Sequence, residues 1–203
     1  MVKKVKKMKM KKIEETLLQV ALRIAKRGEG ALFIVGNNIK YEPLVDQSVP
    51  PFHISKNPKL LESLALMDGA VMIDKKGFLK AYGIMIKTKK TFKNYGTRHS
   101  AGISAAIKGN VVYVVSEEDR KVKIIKDGKI VMQIDPFEKN VEKNVPVISE
   151  WLESVGAGTL GSIGAGVFAP ALGLTFLPGV IVFGSAYYIS KMITNSFIKK
   201  KKK

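Results

Sequence analysis

The sequence predicts an α/β domain with a mixed central β-sheet flanked by helices, followed by a C-terminal hydrophobic helical hairpin. Three observations predict it. Apolar runs of strand length, Ala31 to Val35 and Val111 to Val115, lack the polar alternation of a half-exposed strand and suit a sheet covered on both faces. Stretches with helical spacing lie between such runs, and Asp/Gly-containing turns mark two hairpins. Towards the C-terminus, no residue from Ser154 to Ser190 is charged.

The elements follow in order. Lys12 to Arg27 has apolar residues at 13, 17, 20, 21 and 24, one face of a helix, and Gly28 and Gly30 end it. Ala31 to Val35 is then a buried strand. Residues 36 to 56 read as irregular chain, because Val49-Pro50-Pro51-Phe52 is too proline-rich for regular structure. His53 sits there, and a surface or packed histidine is its default reading. Asn57 supplies an N-cap and Pro58 the first position of a short helix whose stripe is Leu60, Leu61, Leu64 and Met67.

Val71 to Ile73 and Phe78 to Ile86 flank the turn Asp74-Lys75-Lys76-Gly77. Lys87 to Lys93 is polar and is expected to loop over a site. Thr97 is expected to cap a helix running to about Lys108, in which Ala101, Gly102, Ala105 and Ala106 permit close packing on a sheet. The strand Val111 to Val115 ends on Ser116-Glu117-Glu118-Asp119. Lys121 to Ile134 is a last hairpin about Asp127-Gly128, and no internal repeat accompanies it.

Residues 136–153 read as a polar connector. The uncharged run after it, nearly twice the roughly 20 residues of a membrane helix, is interrupted by Pro170 and Pro178, which favours a hairpin over one straight helix. Its first arm reaches only about 24 Å, so dipping into the bilayer is as open as crossing it. Gly158, Ser162 and Gly166 share a helical face that lets helices approach closely in lipid, and Trp151, Tyr187 and Tyr188 suit an interface. A Gly/Ala-rich helical pair packed on the domain or a partner fits the same composition. Gly156 to Gly161 matches the dinucleotide-binding glycine pattern only formally, since no acid lies about 20 residues on.

Composition narrows the class. With 203 residues and 46% hydrophobic content the chain can bury a core, which excludes a disordered protein. The absence of cysteine excludes disulfides and thiolate metal sites. The net charge of +18 falls to +6 without twelve lysines, seven in a basic tail at 1–12 and five at 199–203. Charge placed in tails points to an anionic surface without naming it. No signal peptide is apparent, so a cytoplasmic domain, membrane-associated through residues 154–198, is expected.

Two stretches carry chemistry. Asp68-Gly69-Ala70 sets one carboxylate at the mouth of an apolar strand, beside a glycine that blocks no ligand. Gly96-Thr97-Arg98-His99, after Asn94-Tyr95, reads as a helix start, where backbone N–H groups and the positive dipole end attract phosphate. Singly, each is commonly a turn or a cap. Together with Ser116-Glu117-Glu118, in this order and spacing, they resemble the diadenylate cyclases, the family that condenses two ATP into cyclic di-AMP. The resemblance covers about residues 13–135.

That resemblance implies a DAC-type catalytic domain whose Asp68 is catalytic and binds Mn²⁺ or Mg²⁺, with Glu117 or Glu118 as a second metal ligand. The acid that does not bind metal is expected to be solvated or paired. Nucleotide binding falls to Gly69, Ala70, Gly96, Thr97, Arg98, His99 and Ser100, with Met85 and Ile86 against adenine. Many members carry a second basic residue where Ser100 stands, so weaker triphosphate binding is expected here. ATP is the implied substrate and a homo-oligomer with a face-to-face active dimer the implied assembly. Nucleic acid is not an expected partner. A catalytically inactive adenine-nucleotide-binding module would keep the same pocket, and a basic membrane-surface adaptor would use the lysine tails alone.

Overall fold

The computed structural model describes residues 2–37, 39–87, 96–138, 140–155 and 174–175. An eight-stranded sheet has strands β1 (Ala31–Val35), β2 (Tyr41–Pro43), β3 (Ala70–Ile73), β4 (Leu79–Ile86), β5 (Val111–Val115), β6 (Val122–Lys126), β7 (Lys129–Ile134) and β8 (Leu174–Thr175). Their order is β2-β4-β3-β1-β5-β6-β7-β8. Among the described strands only β1 and β3 pair in parallel, with Phe33 opposite Val71, so the sheet is mixed as predicted.

The apolar runs split their side chains between two layers because successive residues point to opposite faces. Ala31, Phe33 and Val35 of β1 join Tyr113 and Val115 of β5 in a core shared with α1 (Val2–Arg27), α2 (Pro58–Ala65) and α4 (Val145–Val155). Leu32 and Ile34 join Val112 and Val114 on the other face, against α3 (Thr97–Ala106). Among the described residues one helix thus covers the face on which the site lies, where three cover the opposite one.

Several expectations need correcting. Helix α1 extends back to Val2, so residues 2–12 of the lysine-rich segment continue the helix. The irregular stretch contains β2, which pairs with β4 at Tyr41 opposite Ile86. Asn57 is the N-cap of α2 with Pro58 in its first turn, as expected, but its side chain makes no cap bond. The cap of α3 is Gly96, with Thr97 inside the first turn.

The connector holds α4. Val141, Val145, Ile148 and Leu152 recur at helical spacing and are buried among the α1 residues, with Lys11 bonded to Glu150 and Lys26 to Glu142 at the flanks. The core therefore runs past Ile134. Strand β8 pairs Leu174 with Ile134 at the sheet edge, and the rest of the expected hairpin lies outside the described residues, as do most of Lys87 to Lys93. Among the described residues no helix is long and apolar enough to cross a membrane.

Ile148 has no exposed surface. Ile148→Ala should lower the unfolding free energy by about 2–5 kcal/mol in urea titration, the cost of deleting a core aliphatic side chain. A loss below about 0.5 kcal/mol, the surface-substitution range, would detach α4 from the core.

Candidate active site

A cleft of about 1080 Å³ opens at one end of the sheet. The register explains why its walls converge there. Ala70 at the start of β3 lies opposite Ile84 near the end of β4, and Ala31 at the start of β1 lies opposite Val115 at the end of β5. The residues before β3, at the end of β4 and after β5 therefore meet at one end. Leu32, Ala70, Ile84 and Ile86 supply an apolar floor where α3 stops covering the sheet.

Every residue nominated from sequence lines this cleft. Asp68, Gly69 and Ala70 approach from the α2–β3 junction, and Met85 and Ile86 from β4. The start of α3 brings Gly96, Thr97, Arg98, His99 and Ser100, and the turn after β5 brings Glu117 and Glu118. Asp68 is exposed, whereas Gly69, with φ +99°, could not carry a side chain, since a Cβ would stand 2.6 Å from the Ile84 backbone nitrogen. That close approach lets the chain pass under β4 and present Asp68 at the rim.

Gly96, the N-cap of α3, makes no side-chain cap bond, and a helix start is an arrangement that receives anions. Thr97 and Arg98 are exposed, and His99 and Ser100 are buried against the sheet. Arg98 Nη1 donates to Glu117 Oε2 at 3.1 Å. Glu118 reaches towards the cap, its Oε1 about a van der Waals contact from where a Gly96 Cβ would stand. Burial, reinforced by the nearby Lys123 ammonium, holds the His99 imidazole below its usual pKa of 6.5, against the opposing pull of Asp119 and Glu118. His99 is thus neutral near pH 7.

Sequence reasoning missed Leu44, Leu32, Ala101, Val115 and Ser116 as lining residues, though Ser116 stood in the third motif, whereas Ile84 falls in the Tyr82 to Ile86 stretch that the resemblance puts against adenine. Leu44 follows β2 in a loop held on β4: its N–H donates to Gly83 O at 2.8 Å, and the Tyr82 hydroxyl donates to Asp46 O at 2.8 Å. Gln47 bonds both backbone groups of Tyr82. No local pattern announces such pinning, because the partner lies about forty residues away in sequence.

Among the described residues no three His, Asp or Glu side chains gather into a metal cage. The carboxylates of Asp68, Glu117 and Glu118 are hard oxygen donors, and they suit an ion such as Mg²⁺ or Mn²⁺ that takes one or two protein ligands and completes its shell with substrate phosphates and water.

The family model described as "DisA bacterial checkpoint controller nucleotide-binding" (DAC) matches residues 19–130. A diadenylate cyclase of Methanocaldococcus jannaschii is 28% identical over 145 residues, covering 63% of this chain and 47% of the relative. One of Haloferax volcanii is 30% identical over 138 residues, covering 59% and 51%. The chain spans about half the length of these relatives. A solved double mutant of DacA from Staphylococcus aureus is similar at 20% identity and a TM-score of 0.48, over 72% of this chain and 97% of that one.

The depressed His99 pKa has a stability consequence with a fixed sign. The unfolded chain binds the proton at a pH where folded His99 does not, so stability falls as pH drops below about 6.5 and levels off below the folded value. The urea midpoint should therefore drop more between about pH 7.5 and about pH 5.5 for the wild type than for His99→Gln. Equal drops would remove the assignment.

Proposed function

The chain belongs to the DAC family of DisA-type nucleotide-binding domains, and on that premise we propose that it is a diadenylate cyclase, condensing two ATP into cyclic di-AMP with release of two pyrophosphates. The observation that carries this reading is the convergence of all three sequence motifs on one cleft at one end of the sheet. A carboxylate, a helix start with an arginine and a pair of acids are what a phosphoryl-transfer site needs.

In each of two equivalent steps the 3′-hydroxyl oxygen of one ATP bonds to the α-phosphorus of the other. The bond from that phosphorus to the bridging oxygen of the β-phosphate breaks, pyrophosphate leaves with the electron pair, and the hydroxyl proton passes to a base. Asp68 serves the attacking hydroxyl. Gly69 and Ala70 admit the nucleotide close to the backbone, and Met85 and Ile86 offer an apolar face for adenine. Thr97, Arg98, His99 and Ser100, with the start of α3, hold phosphate oxygens.

Asp68 and an acid after β5 would hold a Mn²⁺ or Mg²⁺, which when bound would neutralise phosphate charge, including that developing on the leaving group. Asp68 is one ligand, and of the two acids after β5 Glu118 is the better second. Glu117 is occupied with Arg98, while Glu118 lies beside the α3 cap. Each protomer presents one nucleotide, so ring closure requires two clefts facing each other in an isologous dimer, where both nucleophiles are held in line. We assign residues 13–135 to catalysis, with α4 bracing them, residues 154–198 to membrane association from the cytoplasmic side, and the lysine tails at 1–12 and 199–203 to contact with anionic lipid.

Incubation of the full chain with ATP and Mn²⁺ should give cyclic di-AMP by mass spectrometry. Asp68→Asn, at an exposed position, should reduce its rate by about 10²–10⁴-fold without changing the melting temperature. A dimeric, metal-supplied wild type that binds ATP and yields no cyclic dinucleotide would leave the inactive nucleotide-binding module instead.

The two acids should also separate by titration. Glu118→Gln should raise the Mn²⁺ concentration needed for half-maximal rate by about tenfold or more, and Glu117→Gln should leave it within about twofold. The reverse ranking would exchange their roles.

A further inference from the structure

Helix α1 ends in the link Gly28-Glu29-Gly30, which leads into β1. Gly28 has the left-handed φ of +78° usual after a helix, and its N–H bonds to Ala25 O at 3.0 Å. Gly30 is different. Its φ lies outside the positive region, so local backbone conformation does not ask for glycine there.

What asks for glycine is Arg98. A Cβ on Gly30 would stand 2.2 Å from Arg98 Nη1, 2.7 Å from Cζ and 3.3 Å from Nε. The guanidinium therefore lies across the bare Cα of Gly30, while the same Nη1 is held by Glu117 Oε2 on the far side. A residue before β1, five elements ahead of α3 in sequence and outside the cleft lining, forms the seat for the cationic side chain of the phosphate-facing helix start.

We propose that Gly30 is a positioning residue: the missing side chain, with Glu117, fixes the Arg98 guanidinium where it meets the substrate's phosphates. The inference rests on the phosphate-binding role given to Arg98 above. An alanine methyl in the seat must displace the guanidinium, because Nη1 cannot keep both its place over residue 30 and its bond to Glu117. Long side chains lose rotamer freedom when they bind, and a seat that has already fixed Arg98 lowers that cost.

The test is a double-mutant cycle of Gly30→Ala and Arg98→Ala in the full chain, read by ATP binding in calorimetry and by cyclic di-AMP production. Gly30→Ala should weaken ATP binding by about tenfold, the size expected for losing one charge-assisted hydrogen bond. It should raise the Michaelis constant in proportion and leave kcat within about twofold. Its melting temperature should stay level or rise, since alanine at a compatible φ restricts the unfolded chain. In the Arg98→Ala background the methyl should have no further effect on binding.

An equal loss in both backgrounds, or unchanged binding in Gly30→Ala, overturns the proposal. If Gly30→Ala is unstable and the double variant is not, the clash with Arg98 is the cause and the seat stands; instability of both overturns it. A wild type that binds ATP without making cyclic di-AMP overturns the cyclase reading, and the binding cycle still decides the role of Gly30. A wild type that binds no ATP overturns both.

Discussion

The site depends on how closely α3 lies on the sheet. A Cβ on Gly102 would stand 3.0 Å from Val114 Cγ2 and 3.3 Å from both Ile125 Cδ1 and Val112 Cγ1, so the helix rests almost directly on β5 and β6. Ala105 and Ala106 are fully buried on the same side, and small residues along this face are what bring the axis down. Asn110 then fastens the far end, its Nδ2 donating to Ala105 O at 2.9 Å. Since interiors pack to near-crystalline density, the height of the helix fixes the height of its first turn above the apolar floor. Raising α3 by even one methylene would move Gly96 to Ser100 with respect to Asp68, at the α2–β3 junction, and Ile84, on β4, which do not move with it.

Covering one face with a single helix has a second effect. Three helices seal the opposite layer, where Phe33, Tyr113 and Ile73 are wholly or almost wholly buried. On the α3 side, among the described residues, the helix lies against β1, β5 and β6. Beside it Leu32, Ala70, Ile84 and Ile86, all buried, form the apolar floor of the cleft. A flat aromatic ligand gains from such a floor by displacing water, and exposed polar groups that would orient it, Asp68, Thr97 and Arg98, stand at the rim. Division of labour between floor and rim follows from how the helices are distributed.

Much of this was legible because its signals are local. Five-residue apolar runs gave β1 and β5 their full extents, and Asp/Gly turns placed both hairpins. The small residues at 101, 102, 105 and 106 announced a close helix–sheet contact. What escaped depends on distant partners. Strand β2 is three exposed residues that exist as a strand because β4 offers hydrogen bonds. The stripe Val141, Val145, Ile148 and Leu152 was hidden among asparagines, lysines and glutamates that face water. Thr97 looked like the α3 cap because threonine is a good one, yet Gly96 takes that place. The reason for Gly30 lies on α3, so it cannot be found by reading its neighbours.

Charge in the cleft bears on how a polyanion could enter. Among its described lining side chains Asp68, Glu117 and Glu118 bring three negative charges against one guanidinium, Arg98, and His99 is held neutral by burial and by Lys123. The chain's large positive charge is concentrated in the lysine tails. A triphosphate approaching this lining meets net like charge at short range, where screening by salt is weakest. The helix start offsets roughly half an elementary charge at most. In the proposed reaction divalent cations that arrive with the nucleotide would offset the remaining negative charge, and carboxylates at the rim are suited to receive them. Acids that oppose the bare substrate thereby favour its metal complex, and discrimination between the two follows from the same three side chains.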